Sequence, residues 1–307
     1  MADHVWIPAP PLSCDVASRD LIATQTAYAH WREVEAKLRA SDPDGLKAIK
    51  QRLVRRLIVE MGLLENLYEL DRASTEALIA NGFAAANVKA SGTNMEPERL
   101  ATILKNQEAA VLPLLDMPTL PALALPDIQQ MHAIQMQHQD TAASTDASGQ
   151  KILVPLLKGV LKTTPNNLRL PDGSVHEFCP PARLEPELRR MFDAIASARD
   201  ADPVAVAAWL HANLYHLHPF QTGNGRVVRA ATTHLMLRAG LLPIVVERED
   251  RAAYKTAMAS AASGDVGPLT ALFLRAEVAA IGRALVEAGY GISTQDHNHK
   301  QAKGRIQ

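Results

Sequence analysis

The sequence predicts a mainly α-helical fold with one small β-hairpin, and three observations support this. Apolar residues such as Leu53 and Leu57 recur every three or four positions through most of the chain, which is the spacing of an amphipathic helix. The pair Asp202-Pro203 is a helix-start signal of the kind expected between such stretches. Only LRLPDGSVHEF, residues 168–178, has two short apolar runs around a Pro-Asp-Gly turn. Hydrophobic residues make up 47% of the 307 residues, enough for a sizeable core.

The first part of the chain is predicted to be a helical region that follows an extended arm. Prolines exclude a helix interior from the arm, and the turn SDPDG and an Asn-Gly pair end two of the helices. The prolines of DMPTLPALALP mark a linker, so we predict an N-terminal helical region over residues 1–114. Its elements are the arm over 1–16 and helices over 15–40, 46–70, 71–81 and 97–112.

The second part is predicted to form another helical domain over residues 115–288. Its helices follow the same periodicity, whereas the polar stretch TAASTDASGQK is predicted to be a loop. Residues 289–307 form a polar tail that we predict to be disordered. The elements are a helix over 126–138, the polar loop over 141–151, the hairpin over 168–178, and helices over 183–197, 203–217, 224–239, 250–262 and 266–287.

The composition argues against partners that are recognised by bulk charge. The formal net charge is −1 at pH 7 and no basic face is evident, so nucleic acid is not an expected partner. Apolar runs are short and interrupted, so no membrane span is expected. The only cysteines are Cys14 and Cys179, and the N-terminus lacks a secretory pattern, so we expect a reduced, cytoplasmic protein.

The segment HPFQTGNGRVVR, residues 218–229, has the residue types of a site for a phosphate-bearing ligand. The glycine-rich turn at 223–225 leads into a helix, whose N-terminus presents unpaired N–H groups and a positive dipole end. Arg226 and Arg229 lie one helical turn apart, so both can face the same anion. His218 stands beside them as a candidate base. Taken alone, such a turn can equally be a plain connection between packed helices.

This segment resembles the signature of the Fic (Fido) family, H-P-F-x-[D/E]-G-N-G-R-x-x-R, and agrees at every specified position except Thr222. The resemblance extends over about residues 115–285, and VPLLKG, PNN and DGSVHEFCPP resemble the stretch that holds the family's flap hairpin. It implies the Fic/Fido helical fold with a small β-hairpin flap and an N-terminal helical bundle. The implied activity is AMPylation, in which an adenylyltransferase moves AMP from ATP to a Ser, Thr or Tyr hydroxyl of a target protein.

The resemblance also implies roles for individual residues. His218 would be the general base for the target hydroxyl, and Phe220 would anchor the loop in the core. The hairpin around Pro171 to Phe178 would hold the target protein by strand addition, and a homodimer is a possible assembly. The implied nucleotide-binding residues are Gly223, Asn224 and Gly225 for the α- and β-phosphates, Arg226 for the β-phosphate and Arg229 for the γ-phosphate.

Thr222 occupies the position at which the family has an Asp or Glu that holds Mg²⁺. Mg²⁺ prefers hard anionic oxygens, and a neutral hydroxyl is a weaker ligand. Three consequences are open. Mg²⁺ or Mn²⁺ binds weakly through phosphates and water with reduced activity, the donor is a different phosphate compound, or the chain binds nucleotide without turnover.

A second resemblance lies in MGLLEN, residues 61–66, which is similar to the family's inhibitory-helix pattern [S/T]-x-x-x-E-[G/N]. It implies that Glu65 pairs with Arg229 and blocks the γ-phosphate site, so that each charge has a partner. Met61 stands where the pattern has Ser or Thr, which removes the hydroxyl that anchors this helix. The alternative is a solvated glutamate on an amphipathic helix.

Other polar residues are predicted to have minor roles. His211 and His216 lack a carboxylate or cysteine to complete a metal site, and Cys179 lacks a paired base. Lys158 and Asn166 are weaker candidates for contacts with the target or the nucleotide. The competing function is a non-catalytic nucleotide-binding or interaction protein with the same fold, which ATP binding without transfer would reveal.

Overall fold

The structure is a computed structural model that describes residues 5–12, 18–117, 120–145, 151–169 and 172–290. Within these ranges the chain is mainly helical, as the sequence predicts. All but one of the helices begin and end within a few residues of the predicted bounds. The ten α-helices described are α1 (Ser18–Ser41), α2 (Pro43–Leu64), α3 (Arg72–Asn81), α4 (Pro97–Val111), α5 (Leu125–Gln135), α6 (Pro181–Ser197), α7 (Pro203–Leu217), α8 (Asn224–Arg238), α9 (Arg251–Ala262) and α10 (Gly267–Glu287).

Two antiparallel hairpins accompany the helices, where the sequence predicts one. The predicted hairpin is confirmed, with β3 (Leu168–Arg169) paired to β4 (Val175–His176). Pro171, in its predicted turn, lies outside the described residues. The prediction of a polar loop over 141–151 was wrong at both ends, because β1 (Thr141–Thr145) pairs along its whole length with β2 (Lys151–Pro155). Residues 146–150 lie outside the described residues. Small residues, among them Ala142 and Ala143, gave β1 a weak strand signal, and its partner supplies larger apolar side chains.

The helix predicted over 46–70 was wrong at its end, because α2 stops at Leu64. Glu65 caps the helix, and Asn66 takes a left-handed backbone conformation with φ +53°, which asparagine tolerates better than most residues. The chain then folds back so that the buried Tyr68 ring lies against Gly62, where a Cβ would overlap the ring. The Tyr68 hydroxyl donates to a carbonyl of α2 at 3.0 Å, which fixes this reversal.

The core lies around the neighbouring helices α7 and α8. α7 is buried from Val204 to Leu214, and α8 packs against α7, α5 and α4. The main hydrophobic cluster joins both predicted regions, for example Leu100 of α4 and Val227 of α8. A smaller cluster around Trp31 joins α1, α2 and α10. The N-terminal helices therefore share a core with the rest of the chain, and the boundary near residue 114 stays a prediction.

The proline-rich arm, over its described residues 5–12, has no helix or strand and lies on α6 and α7. Trp209 Nε1 donates to Pro10 O at 3.2 Å, and Arg190 Nη2 donates to Ala9 O at 3.1 Å. Cys14 and the tail from residue 291 onward lie outside the described residues. Among the described helices, none combines the length and the apolar character needed to cross a membrane.

Candidate active site

The segment 218–223 is the loop between α7 and α8, and it opens with a strained residue. Pro219 cannot continue α7, and His218 takes a left-handed conformation with φ +48°. Among the described non-glycine residues only Asn66 shares a positive φ. Gly223, at φ +75°, leads into α8 without that cost. Backbone strain of this kind concentrates at functional sites, so the loop is a candidate on geometry alone.

Asn224 uses its side-chain amide to hold this loop. Its Nδ2 donates to Phe220 O at 2.7 Å, and its Oδ1 accepts from Phe220 N–H at 2.8 Å. Both residues are buried, and Phe220 lies in the main core cluster. The amide of Asn224 is therefore occupied, and its contribution to an anion site would come from its backbone N–H in the first turn of α8.

His132, on α5, orients the Thr222 carbonyl. Its Nδ1 accepts from Gly159 N–H at 2.8 Å, so Nε2 carries the proton and donates to Thr222 O at 3.1 Å. The ring stacks on Phe220 with centroids 4.0 Å apart and planes at 7°. Burial lowers the pKa of His132 to about 4, so this neutral tautomer persists at physiological pH. Sequence reasoning missed His132, because no local pattern indicates a contact with a residue 90 positions away.

The segment that precedes β3 holds the two earlier carbonyls of the loop. Lys162 N–H donates to Pro219 O at 2.8 Å, and Asn166 Nδ2 donates to Phe220 O at 2.7 Å. Lys162 Nζ in turn donates to Asn166 Oδ1 at 2.7 Å. Lys162 is buried, which is rare for lysine, and burial lowers its pKa to about 8. Sequence reasoning missed Lys162. Asn166, a weaker sequence candidate, uses its side-chain amide to hold the loop.

The imidazole of His218 lies in mainly apolar surroundings at the end of β4. The Phe178 ring meets it edge-on, with centroids 3.8 Å apart and planes at 72°. Burial lowers the pKa of His218 to about 3. Positive charge on Lys162, His176 and His216 adds to this lowering. Its Nδ1 is buried and makes no hydrogen bond within the described part of the chain. An uncharged imidazole has one nitrogen that can accept a proton at physiological pH.

One cavity of about 550 Å³ collects the residues that the sequence singles out. It lies between the end of α2, the loop after α7, the start of α8 and α9. An apolar wall is formed by Leu64, Leu67, Tyr254 and Met258. The predicted site residues in its lining are Glu65, His218, Thr222, Gly223, Asn224, Gly225, Arg226 and Arg229. The structure therefore brings all of them together, and their individual roles stay predictions.

Glu65 forms an ion pair with Arg229 across this cavity. The side chains are 27% and 7% exposed, so the pair is largely shielded from water. The Glu65 carboxylate also lies directly over Gly225, where a Cβ would overlap its Oε1. The carboxylate thus covers both the N-terminal turn of α8 and the arginine, the two features that an anionic ligand would contact.

Arg226 is buried and has no ion-pair partner among the described residues. Its Nη1 lies 3.5 Å from His138 Nε2, and its Nε makes no hydrogen bond there. Burial, together with the charge of Arg226, lowers the pKa of His138 to about 4. The guanidinium therefore retains donors that an anion in the cavity could use.

A hydrogen-bonded chain lies behind Arg229. Thr232 Oγ1 donates to a carbonyl of α8 at 2.7 Å, so it accepts from His211 Nδ1 at 3.0 Å. His211 Nε2 then accepts from Tyr254 Oη at 2.8 Å. Burial lowers the pKa of His211 to about 3 and raises that of Tyr254 to about 12. His211 therefore supports Tyr254, which lines the cavity together with Arg229.

The cavity does not fit a metal ion held by protein carboxylates. Among the described residues no three His, Cys, Asp or Glu side chains are grouped to hold a metal. Thr222 lines the cavity, and Glu65, the only carboxylate in the described lining, is paired with Arg229. A neutral hydroxyl does not replace the carboxylate that Mg²⁺ favours. A metal ion would have to enter with phosphate and water ligands.

Two weaker sequence candidates have structural partners. Cys179 is buried, and burial raises the pKa of its thiol to about 11, so it is protonated at physiological pH. Lys158 Nζ pairs with Asp140 at 3.0 Å, away from the cavity lining. Neither arrangement indicates a role in chemistry.

The fold and the site together define a helical protein whose loop-to-helix junction, beside an uncharged histidine, suits an anionic ligand. Residues 122–236 match the model of the Fic/DOC family, and this range contains the whole 218–229 segment. Within these residues the chain has a Fic/DOC domain, as its signature implies. Solved structures share the fold: a Fic domain containing signaling protein from Bacteroides thetaiotaomicron, at 17% identity and TM-score 0.64, covers 88% of this chain and 98% of its own. A Fic family protein from Desulfovibrio desulfuricans, at 18% identity and TM-score 0.63, covers 93% and 79%.

Curated relatives match a shorter stretch. The protein adenylyltransferases Fic of Aedes aegypti and Drosophila melanogaster are each 39% identical over 66 residues, which is 22% of this chain and 13% of theirs. The match thus spans about an eighth of the relatives' length. It supports the likeness of this segment and does not by itself transfer the activity of the whole protein.

Proposed function

We propose that this protein is a Fic-type protein adenylyltransferase, which moves AMP from ATP to a Ser, Thr or Tyr hydroxyl of a target protein. The observation that carries the proposal is the shared cavity, where an uncharged histidine faces the same space as a helix N-terminus and two buried arginines. The adenylyltransferase names of the curated relatives support the same class of reaction.

In the proposed reaction the target hydroxyl oxygen attacks the α-phosphorus of ATP. A new O–P bond forms, the α–β phosphoanhydride bond breaks, pyrophosphate leaves, and the hydroxyl proton passes to His218. The N–H groups of the first turn of α8 and Arg226 would stabilise the charge on the α- and β-phosphates. Arg229 would bind the γ-phosphate. The uncharged state of His218 suits a proton acceptor.

The proposed protein substrate lies along the β3–β4 hairpin, by addition of a strand. Phe178 follows β4 and contacts the His218 ring, so a segment held at this hairpin lies near the base. Strand addition reads backbone groups more than side chains, which suits a hydroxyl on any of several residue types.

In the same proposal Glu65 is the inhibitory residue. Its carboxylate is paired with Arg229, the residue that would bind the γ-phosphate, and it covers the N-terminal turn of α8. Met61, in place of the pattern's hydroxyl, is buried against Leu57 and Val245. Apolar packing of Met61 would therefore replace the hydrogen bond that Ser or Thr makes in the family pattern.

A non-catalytic nucleotide-binding protein is the second candidate. Two observations favour it: Thr222 offers no carboxylate for a metal, and Glu65 closes on Arg229. Under this alternative the cavity binds nucleotide but the α–β bond stays intact.

Labelled ATP separates the two candidates. Wild type and Glu65→Gly are incubated with cell lysate and Mg²⁺ or Mn²⁺, once with ATP labelled at the α-phosphate and once at the γ-phosphate. Transfer of the α label alone, lost in Glu65→Gly/His218→Ala, is the expected result. Transfer of the γ label would replace adenylyl by phosphoryl transfer. Calorimetric binding of ATP with no label on protein would establish the non-catalytic alternative.

A further inference from the structure

The ring of Phe178 contacts both a buried cation and the candidate base. Lys162 Nζ lies over the ring at 5.8 Å from its centroid, and the His218 imidazole meets the ring with centroids 3.8 Å apart. Lys162 and Phe178 are each 5% exposed, so little water reaches either. A cation over an aromatic face is attracted to it, most strongly where both are desolvated. One buried ring thus joins the ammonium to the imidazole at the end of the hairpin.

The Lys162 ammonium is held in a fixed place. Its Nζ donates to Asn166 Oδ1 at 2.7 Å, and its backbone N–H is bound to Pro219 O. No carboxylate pairs with it among the described residues, so its charge is not neutralised locally. Since its pKa is about 8, the side chain is largely protonated at neutral pH.

The charge lies close enough to act on His218. From the two distances to the Phe178 ring, the ammonium is at most about 10 Å from the imidazole centre, a separation at which a shielded charge still acts. Of the charged groups around His218, Lys162 lowers its pKa most, ahead of His176 and His216. The other titratable or charged groups that face the imidazole or its cavity are Tyr215 of α7, Glu65 after α2, Arg226 and Arg229 of α8, and Tyr254 and Lys255 of α9.

We propose that Lys162 is a positioning residue for His218: its ammonium, held by Asn166, fixes the Phe178 ring and adds to the effect of burial in disfavouring protonation of the adjacent imidazole. The catalytic consequence rests on the proposed function, whereas the effect on the charge of His218 does not. If the ammonium is removed, the imidazole accepts a proton at higher pH. A base that is already protonated cannot take the proton of a hydroxyl, so transfer would fail at a higher pH on the acid side.

Histidine titration by NMR tests the charge effect without any need for activity. The ring resonance of His218 is assigned by its loss in His218→Ala. Lys162→Gln removes the charge and keeps a polar end for Asn166, and Lys162→Arg keeps the charge. Lys158→Gln is the matched control, because it removes another lysine of the same segment. Lys158 pairs with Asp140, whereas Lys162 lies over the Phe178 ring.

For Lys162→Gln we expect the His218 midpoint to rise by about one pH unit, a change of about tenfold in the protonated fraction at pH 5. Lys162→Arg and Lys158→Gln should titrate as wild type. Thermal melting checks the fold, and Lys162→Met, which keeps the aliphatic stem, replaces the glutamine variant if that variant melts early. An unchanged His218 midpoint in a folded, charge-removed variant overturns the proposal, as does an equal shift in Lys158→Gln.

The catalytic consequence is measured in the Glu65→Gly background as the pH dependence of kcat. The acid limb should move upward with Lys162→Gln and return with Lys162→Arg, whereas a merely structural defect would lower kcat equally at all pH values and refute the positioning role. If the His218 titration shifts in Lys162→Gln but no variant transfers AMP, the proposed function is refuted and the effect of Lys162 on His218 is supported.

Discussion

Replacement of Glu65 by glycine should strengthen ATP binding, because Arg229 then loses its internal partner. The Arg229 side chain is 7% exposed, and the carboxylate that it binds also covers Gly225. A hydrogen bond to a charged partner contributes about 1.5–3 kcal/mol net. At about 1.4 kcal/mol per factor of ten, freeing Arg229 for a γ-phosphate should lower the Kd of ATP about 10- to 100-fold.

The same change should destabilise the protein in the absence of nucleotide. Removal of one partner from a fully buried ion pair costs about 3–5 kcal/mol, because the other charge is left without a counter-charge. Glu65 keeps 27% exposure, so water offsets part of this cost and we expect the lower end or less. ATP should therefore raise the Tm of Glu65→Gly by more than it raises that of wild type.

Calorimetry with a non-hydrolysable ATP analogue measures the first effect. Wild type, Glu65→Gly and Glu65→Gln are compared with Glu69→Gln, which removes an exposed carboxylate four residues further along the same segment. The two Glu65 variants should bind more tightly, and the Glu69 variant should match wild type. Equal Kd values for wild type and Glu65→Gly would refute the blocking role. An equal gain in affinity in Glu69→Gln would show that the effect comes from the net charge alone.

Three further outcomes follow from single contacts. Thr222→Asp should raise the rate of AMP transfer by about tenfold or more, because a charged metal ligand replaces a neutral one, and should make transfer more dependent on Mg²⁺. Labelling across a Mg²⁺ series in the Glu65→Gly background checks this. No gain in labelling would mean that position 222 does not limit transfer. Glu277 is fully buried, burial raises its pKa to about 8, and one oxygen accepts from Leu242 N–H at 3.0 Å. Because the unfolded carboxyl ionises near its usual pKa while the folded one stays protonated, stability should fall by up to about 1.4 kcal/mol per pH unit between pH 5 and 8; denaturant unfolding should show this slope in wild type and not in Glu277→Gln, and equal slopes would contradict the burial argument. Gly62→Ala should lower the free energy of unfolding by about 1–3 kcal/mol and loosen the end of α2, since a Cβ there overlaps a buried tyrosine ring. Gly282→Ala has open space around its Cβ position and should raise the free energy of unfolding by up to about 1 kcal/mol. Similar Tm changes in the two alanine variants would show that the overlap does not matter.

Local signals were sufficient for most of the fold. α7 could be bounded from sequence because Asp202 caps it, Pro203 starts it and Pro219 cannot continue it. The β3–β4 hairpin was predictable from its Pro-Asp-Gly turn. The candidate site residues other than Glu65 were predictable from one contiguous segment, because a helix N-terminus, two arginines and a histidine lie within twelve positions.

Apart from the Glu65–Arg229 pair, which the resemblance of MGLLEN implied, contacts between distant segments were not predictable from one sequence. The leucine spacing continues past Leu64, yet the helix ends there, because the Tyr68 ring has a place to pack only if the chain turns back over Gly62. β1 formed a strand through its partner and not through its own residues, which are small. His132 and Lys162 hold the 218–223 loop from two other segments, and neither carries a local pattern that indicates this.

The neutral residue at 222 and the retained Glu65 have to be considered together, because they set the charge of the cavity. Its described lining holds the cations Arg226, Arg229 and Lys255 and a single carboxylate, Glu65. A family-type carboxylate at 222 would supply a second negative charge near these cations. With Thr222 in that place, Glu65 is the only counter-charge in the described lining, so its withdrawal leaves the buried Arg226 and Arg229 for an anion from solution to neutralise. The lack of a carboxylate at 222 should therefore weaken metal binding, and withdrawal of Glu65 from Arg229 should leave the cavity more attractive to a polyphosphate.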